Sequence, residues 1–310
     1  MKLVVIDYDM VKQDLTLPNP VNFNTSFHSA QEAPDLQRPS EGPVSFARWL
    51  PLILRSRGLS PSVVQTVRLS RSQARLLLNT AEGSLQSQTL NRMYADDIAD
   101  EIIPLLDREL TFPPEGLFLR LAACSPKDGV HLVSGRMSMH TVDEIVLRTV
   151  TSTRARNALL HSLEDGEQES FDLFFMPFDV RMRSDREYRV FCPPGGHRIT
   201  GISQYQWHKP WAYAHENEAR QTEVVSRVSA EAERIRGLIL DDLDESEMDR
   251  LLVEQGFSFD LLFDEERNAC ELVELNGFGA RSSCGSCLFQ WVRDREQLYR
   301  GEDMEFRVTK

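Results

Sequence analysis

Apolar and polar positions along the chain follow two different periods, which predict a mixture of helices and strands. The opening MKLVVIDYD (residues 1–9) predicts a first strand. Helices are predicted near residues 70–78 and over residues 96–110, where a Pro-Pro-Glu-Gly breaker ends the second helix. The longest helix is predicted over residues 217–240, because its apolar residues recur at spacings of three and four and mark one buried face.

Seven short segments are rich in β-branched and aromatic residues and are separated by Gly, Pro and Asp, as strands are. These segments are residues 117–123, 144–150, 172–178, 187–192, 198–207, 257–263 and 270–276. Residues 15–45, by contrast, are rich in Pro, Asn, Ser and Gln without apolar periodicity, which predicts a long loop. Runs of strands interrupted by single helices indicate an α+β fold and not a regular parallel βαβ array.

Composition and charge are those of a soluble globular protein. Of the 310 residues, 41% are hydrophobic and 27% are charged, and no stretch approaches the roughly 18 continuous apolar residues of a membrane span. Five cysteines form an odd set without disulfide spacing, so we expect a reducing compartment, most simply the cytoplasm. The net charge of −13 argues against binding of a nucleic-acid backbone over the whole surface.

The last two predicted strands flank a polar turn and form a hairpin that carries three oxygen-bearing side chains. Glu274 and Asn276 are two residues apart and therefore share one face of their strand. The turn places Asp260 opposite residues 273–274, where facing Cβ atoms lie about 4.5–5.5 Å apart. Such a set suits Mg²⁺, and without a cation the two carboxylates repel each other, which raises the pKa of one. A solvated acidic hairpin has the same spacing, so the residues alone leave both interpretations open.

Three arginines lie inside predicted apolar strands, at positions 120, 148 and 189. A charged residue there is rarely buried without a partner, so each faces solvent or binds an anion. Lys127 follows the Arg120 strand in a Ser-Pro-Lys-Asp-Gly turn, where it is either solvated or in contact with the same anion. The Cys-Gly-Ser-Cys run at residues 284–287 lacks the thioredoxin-like surroundings and the second cysteine pair that redox or zinc chemistry needs.

Five segments in their order and spacing resemble the cell-division-cycle protein 123 family of ATP-grasp proteins. They are WLPLILRSRGLSP (49–61), LFLRLAACSPKDG (117–129), EYRVFC (187–192), GISQYQW (201–207) and the late hairpin FSFDLLF…LVELNGFG followed by LFQWVRD (288–294). The resemblance covers residues 46–300. It implies an ATP-grasp-like α+β fold in which two lobes hold the nucleotide between them. The implied division is an N-terminal strand with a loop-rich segment (1–45), an N-terminal lobe (46–170) and a C-terminal lobe (171–310).

The resemblance also implies the ligands, ATP and Mg²⁺, and the residues that hold them. Asp260, Glu274 and Asn276 would bind magnesium and the phosphates, and Arg189 would contact phosphate. The strand at residues 175–178 would give backbone hydrogen bonds to the adenine edge. The full implied set is Arg120, Lys127, Phe175, Met176, Phe178, Arg189, Asp260, Glu274 and Asn276.

Some positions depart from the family pattern. Arg120 stands where the family usually has Lys, and a planar guanidinium does not replace a compact ammonium group without consequence. Glu274 replaces the usual Asp and adds one methylene at a ligand position. The segment before Asp179 lacks a basic-aromatic pair, for which Arg181 and Arg183 could compensate.

Two functions follow from the resemblance. In the first, the protein is an ATP-dependent assembly factor that binds the γ subunit of translation initiation factor 2 and promotes assembly of that heterotrimer. In the second, it is an ATP-grasp ligase of the carboxylate-amine or RNA ligase type, the one case in which direct nucleic-acid binding is expected. A degenerate scaffold that no longer binds nucleotide is a third interpretation, so the sequence leaves open whether the chain is an enzyme.

Overall fold

In the computed structural model, which describes residues 1–164 and 169–310, nine strands form two sheets. The strands are β1 (Lys2–Ile6), β2 (Gln65–Ser70), β3 (Leu117–Arg120), β4 (Ser170–Pro177), β5 (Glu187–Cys192), β6 (Gly201–Gln204), β7 (Phe257–Asp264), β8 (Ala269–Gly277) and β9 (Glu305–Thr309). One sheet has six strands in the order β1-β9-β6-β5-β7-β8, and the other has three in the order β2-β4-β3.

Ten α-helices accompany these sheets in the described part of the chain. They are α1 (Tyr8–Leu15), α2 (Phe46–Arg57), α3 (Arg71–Ser87), α4 (Ala95–Asp97), α5 (Ile103–Glu109), α6 (Val142–Val150), α7 (Thr153–Glu164), α8 (Glu218–Asp241), α9 (Glu247–Gln255) and α10 (Arg295–Arg300). A π-helical stretch, Ile98–Ile102, joins α4 to α5. The α+β class predicted from the sequence is therefore confirmed.

The chain forms two compact units. Unit 1 contains Met1–Leu59 and Arg181–Lys310, and unit 2 contains Ser60–Val180. These bounds differ from those of the lobes inferred from the sequence, since residues 1–59 join the C-terminal unit and β4 joins unit 2. Three contacts account for the difference: β1 pairs with β9, α2 contacts β8, and β4 lies between β2 and β3.

Unit 1 is built on the mixed six-stranded sheet. The pairs β1/β9 and β9/β6 are parallel, and the remaining neighbours are antiparallel. All positions of β5 and β7 are buried, so the charged side chains on these two strands lie inside the unit. The long helix α8 contacts β8, begins at the side-chain cap of Asn217, and buries the face that its apolar spacing predicted.

Unit 2 has an antiparallel three-stranded sheet with β4 in the middle. Its core consists of apolar residues from this sheet and from helices α3, α6 and α7. On the exposed face of the β2/β4 pair, Arg68 and Asp172 lie directly opposite each other and form an ion pair at 2.8 Å.

One predicted strand is wrong, because residues 144–150 belong to helix α6. Thr141 caps this helix by accepting a hydrogen bond from the backbone N–H of Glu144, and Asp143 and Glu144 occupy the first turn. The β-branched residues that indicated a strand also recur at helical spacing, and helix α6 buries Val142, Ile145 and Val146. Helices α1 and α7 and strand β9 had no counterpart in the sequence prediction.

The character of the helices and the state of the cysteines bear on membrane insertion and on disulfide bonds. None of the helices in the described residues has the length and apolar character that a membrane crossing requires. All five cysteines are buried free thiols.

Candidate functional site

The hairpin of β7 and β8 brings together the residues that the sequence singled out. Asp260 lies directly opposite Glu274, and Ser258 lies opposite Asn276, which agrees with the predicted placement. The register shifts by one residue beyond Asp260, because Leu261 pairs with Leu272. This β-bulge adds an unpaired residue to β8 beside the carboxylates, and bulges of this kind commonly re-aim side chains at a site.

On its other side β7 pairs with β5, and this pairing places Arg189 opposite Asp260. The Nε and Nη2 atoms of Arg189 donate hydrogen bonds to the two carboxylate oxygens of Asp260 at 2.8 and 2.7 Å. Asp260 is 0% exposed and Arg189 is 6% exposed. The two residues therefore form a buried bidentate ion pair, which fixes the orientation of the Asp260 carboxylate as well as pairing its charge.

Glu274 and Asn276 complete the cluster from β8. The Nδ2 atom of Asn276 donates to Asp260 at 3.4 Å. Burial raises the pKa of Asp260, and the Glu274 carboxylate raises it further, although the Arg189 guanidinium acts in the opposite direction. For Arg189 itself burial lowers the pKa, but Asp260 together with the neighbouring Cys284 and Cys287 outweighs burial, and the net direction is upward. The side chains Arg189, Asp260, Glu274 and Asn276, called the carboxylate cluster below, thus place two carboxyl groups and one amide on strands next to a guanidinium that binds Asp260.

The donor set of this cluster fits a hard cation such as Mg²⁺. It offers two carboxylates and one amide oxygen, and Mg²⁺ commonly takes one or two carboxylates and completes its shell with water and phosphate oxygens. A carboxylate has about four lone-pair sites, so after the two hydrogen bonds from Arg189 the Asp260 carboxylate still has lone pairs for a cation. Among residues 1–164 and 169–310, no group of three or more His, Cys, Asp and Glu side chains is placed to hold a metal ion. The amide of Asn276 is therefore an essential part of the fit.

Two neighbours of Arg189 were not found by sequence reasoning. Its Nη1 atom donates to the backbone oxygen of Gly285 at 2.7 Å, and its guanidinium lies 5.1 Å from the ring centre of Tyr205. The Cys284 thiol contacts the Ser258 hydroxyl at 3.1 Å, and burial raises its pKa to about 11. The loop 284–287 therefore contributes a carbonyl and a buried protonated thiol, not a nucleophile.

In unit 2, Arg120 lies on a strand and Lys127 in a turn, as the sequence predicted, and their contact with a nucleotide stays a prediction. Arg120 lies on β3 opposite Phe174 and is 8% exposed, whereas Lys127 is exposed in the turn that follows. A cavity of about 10 Å³, enough for one water molecule, is lined by Ser125, Lys127 and Arg148 among others.

Arg148 is a helix residue, contrary to the predicted strand. It donates to His131 Nδ1 at 2.8 Å and to the backbone oxygens of Arg136 and Met137. Its guanidinium therefore fastens the loop at residues 131–137, which is a structural use of the buried charge.

The predicted adenine-edge residues lie on and just after β4. Phe175 is fully buried in the core of unit 2, and Met176 is 7% exposed. Strand β2 pairs with β4 only as far as Phe175, so the backbone of β4 after Phe175 has no partner on β2. The N–H of Phe178 donates to the backbone oxygen of Gly116 at 2.9 Å.

The two arginines that could compensate for the missing basic-aromatic pair have carboxylate partners. Arg181 binds Asp264 at 2.8 Å and Glu271 at 3.4 Å, and both carboxylates belong to the hairpin. Arg183 binds Asp185 at 2.6 Å near the surface.

Solved structures share this architecture over nearly the whole chain. The structure of Cdc123 from Schizosaccharomyces pombe aligns with a TM-score of 0.60 and 17% sequence identity, covering 88% of this chain and 98% of that chain. The structure of C-terminally truncated Cdc123 from the same organism aligns with a TM-score of 0.59 and 15% identity, covering 99% of each chain. The chain has a Cdc123-like fold. No family model and no curated protein matches the sequence.

The likeness to Cdc123 confirms the resemblance that the five sequence segments indicated, and it does so at the level of the fold. A Cdc123-like arrangement of the six-stranded sheet explains why residues far apart in sequence meet in the carboxylate cluster. Arg189 and Asp260 are separated by 71 positions and are brought together only by the β5/β7 pairing.

Proposed function

We propose that the protein binds ATP with Mg²⁺ and that the carboxylate cluster of unit 1 holds the metal and the phosphates. The observation that carries this proposal is the convergence of two carboxylates and one amide beside a single guanidinium, all on neighbouring strands. A divalent cation would offset the repulsion between the facing carboxylates of Asp260 and Glu274, which burial makes more unfavourable. The roles of Arg120, Lys127, Phe175, Met176 and Phe178 as nucleotide contacts rest on the family resemblance and stay predictions.

Arg189 has a more constrained part in this proposal than the resemblance implied. Three of its five N–H groups are already used by Asp260 and Gly285. Its main task is therefore to hold the Asp260 carboxylate in place, and only its two remaining N–H groups are available to a phosphate oxygen.

Calorimetric titration of ATP with and without Mg²⁺ tests the site. Asp260→Asn keeps the shape of the side chain but removes its charge, and we expect it to abolish the gain in ATP affinity that Mg²⁺ gives. Asp264→Asn is the matched control, since Asp264 is also a buried carboxylate of β7 with an arginine partner. Mg²⁺-dependent ATP binding that persists in Asp260→Asn, or that is lost to the same extent in Asp264→Asn, would overturn the assignment.

We propose that the bound nucleotide acts as a conformational ligand of an assembly factor, whose partner is the γ subunit of translation initiation factor 2. The Cdc123-like fold and the family resemblance support this role, and the net charge of −13 suits a partner with a basic face. A ligand shifts a protein toward one state by binding that state more tightly, which requires no turnover.

A pull-down with purified γ subunit, with and without Mg²⁺ and ATP, tests the partner. We expect capture at micromolar concentration that depends on the nucleotide in the wild type and not in Asp260→Asn. Failure of the wild type to bind at that concentration contradicts the partner. Release of ADP or AMP in proportion to an added substrate would instead favour the ligase alternative.

A further inference from the structure

A short segment near the N-terminus, Asn24 and Thr25, is fastened to the loop at residues 284–287 by paired hydrogen bonds. The N–H of Asn24 donates to the backbone oxygen of Cys287 at 2.7 Å, and Asn24 Oδ1 accepts from the N–H of Cys287 at 3.2 Å. The N–H of Thr25 donates to Ser286 Oγ at 2.9 Å, and Thr25 returns the contact by accepting from the N–H of Ser286 at 3.1 Å. Four bonds over two residues fix this part of the loop.

Gly285 lies between this attachment and a second one. On its other side the indole N–H of Trp291 donates to the backbone oxygen of Cys284 at 3.0 Å. A Cβ atom at Gly285 would lie 2.2 Å from Asn24 Oδ1, so any larger residue there would displace the Asn24 side chain from its bond to the loop. The position of the Gly285 carbonyl is therefore set from both sides.

That carbonyl is the third acceptor of the Arg189 guanidinium, at 2.7 Å from Nη1. The two bonds to Asp260 define the plane of the guanidinium, and the bond to Gly285 limits how far the group can rotate or shift along the strand. Hydrogen bonds at Cys287 and Ser286, the backbone that joins Ser286 to Gly285, and the bond from Arg189 to Gly285 thus connect Asn24 and Thr25 to Arg189 and Asp260.

We propose that Asn24 and Thr25 are positioning residues for the cation site, a role that rests on the proposed function of the carboxylate cluster. The segment is neutral, so it acts on the direction of the Asp260 carboxylate and not on the charge of the site. The backbone of Asn24 is left-handed, with a φ of 49°, and asparagine is among the few side chains that tolerate this conformation. Asn24 thus supplies both the turn and the acceptor that the loop needs.

The test compares variants in binding of Mn²⁺ with ATP, followed by electron paramagnetic resonance of the metal. Asn24→Gly keeps the left-handed turn and removes the acceptor, and we expect it to weaken binding by about three- to tenfold. Asn24→Asp restores an acceptor oxygen and should regain most of the affinity. Asn217→Ala is the control, because it also removes one asparagine acceptor in unit 1, at the cap of α8, without touching the loop.

A second measurement does not depend on nucleotide. In the metal-free protein, the Nε–H of Arg189 should exchange with solvent about tenfold faster in Asn24→Gly than in the wild type or in Asn217→Ala. If Asn24→Gly exchanges and binds like the wild type, the positioning role is overturned. If the wild type does not bind Mn²⁺ with ATP but Asn24→Gly still accelerates exchange at Arg189, the segment positions Arg189 and the proposed ATP function is the part that fails.

Discussion

Replacing Arg189 with methionine should destabilise unit 1 by breaking the buried ion pair with Asp260. The variant removes two charge-assisted hydrogen bonds to Asp260 and one to the Gly285 carbonyl. It leaves the Asp260 carboxylate, which is 0% exposed and lies opposite Glu274, without the guanidinium that binds it.

The size of the effect follows from the burial of the pair. Breaking a buried ion pair by removing one partner costs about 3–5 kcal/mol, because the remaining charge is left uncompensated. The double variant Arg189→Met with Asp260→Asn removes both charges, so it should be more stable than the sum of the two single changes by about 2 kcal/mol or more. Residues in direct contact are expected to show such coupling.

Urea unfolding followed by tryptophan fluorescence measures this coupling. All four tryptophans, at positions 49, 207, 211 and 291, lie in unit 1, so their emission reports the unfolding of that unit. A loss of less than about 1 kcal/mol in Arg189→Met, or strict additivity in the double variant, would refute the reasoning, because losses that small are typical of solvent-screened pairs.

Three further predictions concern other parts of the fold. Burial raises the pKa of Glu231, but hydrogen bonds from the Arg234 guanidinium and the Cys270 N–H outweigh burial, so the pKa is lowered on folding. The ionised Glu231 therefore stabilises the fold above the unfolded pKa of about 4.3, and this stabilisation is lost as the pH falls below that value. Glu231→Gln should flatten the decline in urea stability over this acidic range, and an unchanged slope contradicts the assignment. Arg48→Leu should cost about 2–3 kcal/mol in urea unfolding, because it leaves the 1%-exposed Asp249 without its partner at 2.6 Å, and a loss below 0.5 kcal/mol would count against this. Gly285→Ala should lower stability by about 1–3 kcal/mol and weaken the attachment of Asn24, whereas a wild-type melting temperature would show that the loop can move aside.

Local sequence patterns were sufficient for the hairpin of β7 and β8. Alternating apolar residues, a polar turn and short strands set its register, and Asp260 meets Glu274 as the spacing predicts. The bulge beyond Asp260 was not predictable, since it depends on how β7 is held between β5 and β8. The resemblance to a known family added the fold, which no periodicity in the chain could supply.

Long-range pairings and local ambiguity account for what the sequence missed. The bond between Arg189 and Gly285 joins positions 96 apart, and no local signal marks either residue as the partner of the other. The error at residues 144–150 has a different cause, because valine, isoleucine and threonine favour strands while their spacing here also fits one face of a helix.

The pairing of β1 with β9 has a consequence for how the chain acquires its structure. Unit 2 is one uninterrupted stretch and has all its strands once residue 180 has been synthesised, so its sheet can form early. The first strand of unit 1 must instead wait for a partner that emerges about three hundred residues later. A nascent chain that stops before β9 would leave β1 without a neighbour and would turn β6 from an interior strand into an open edge, the kind of surface on which stalled intermediates aggregate.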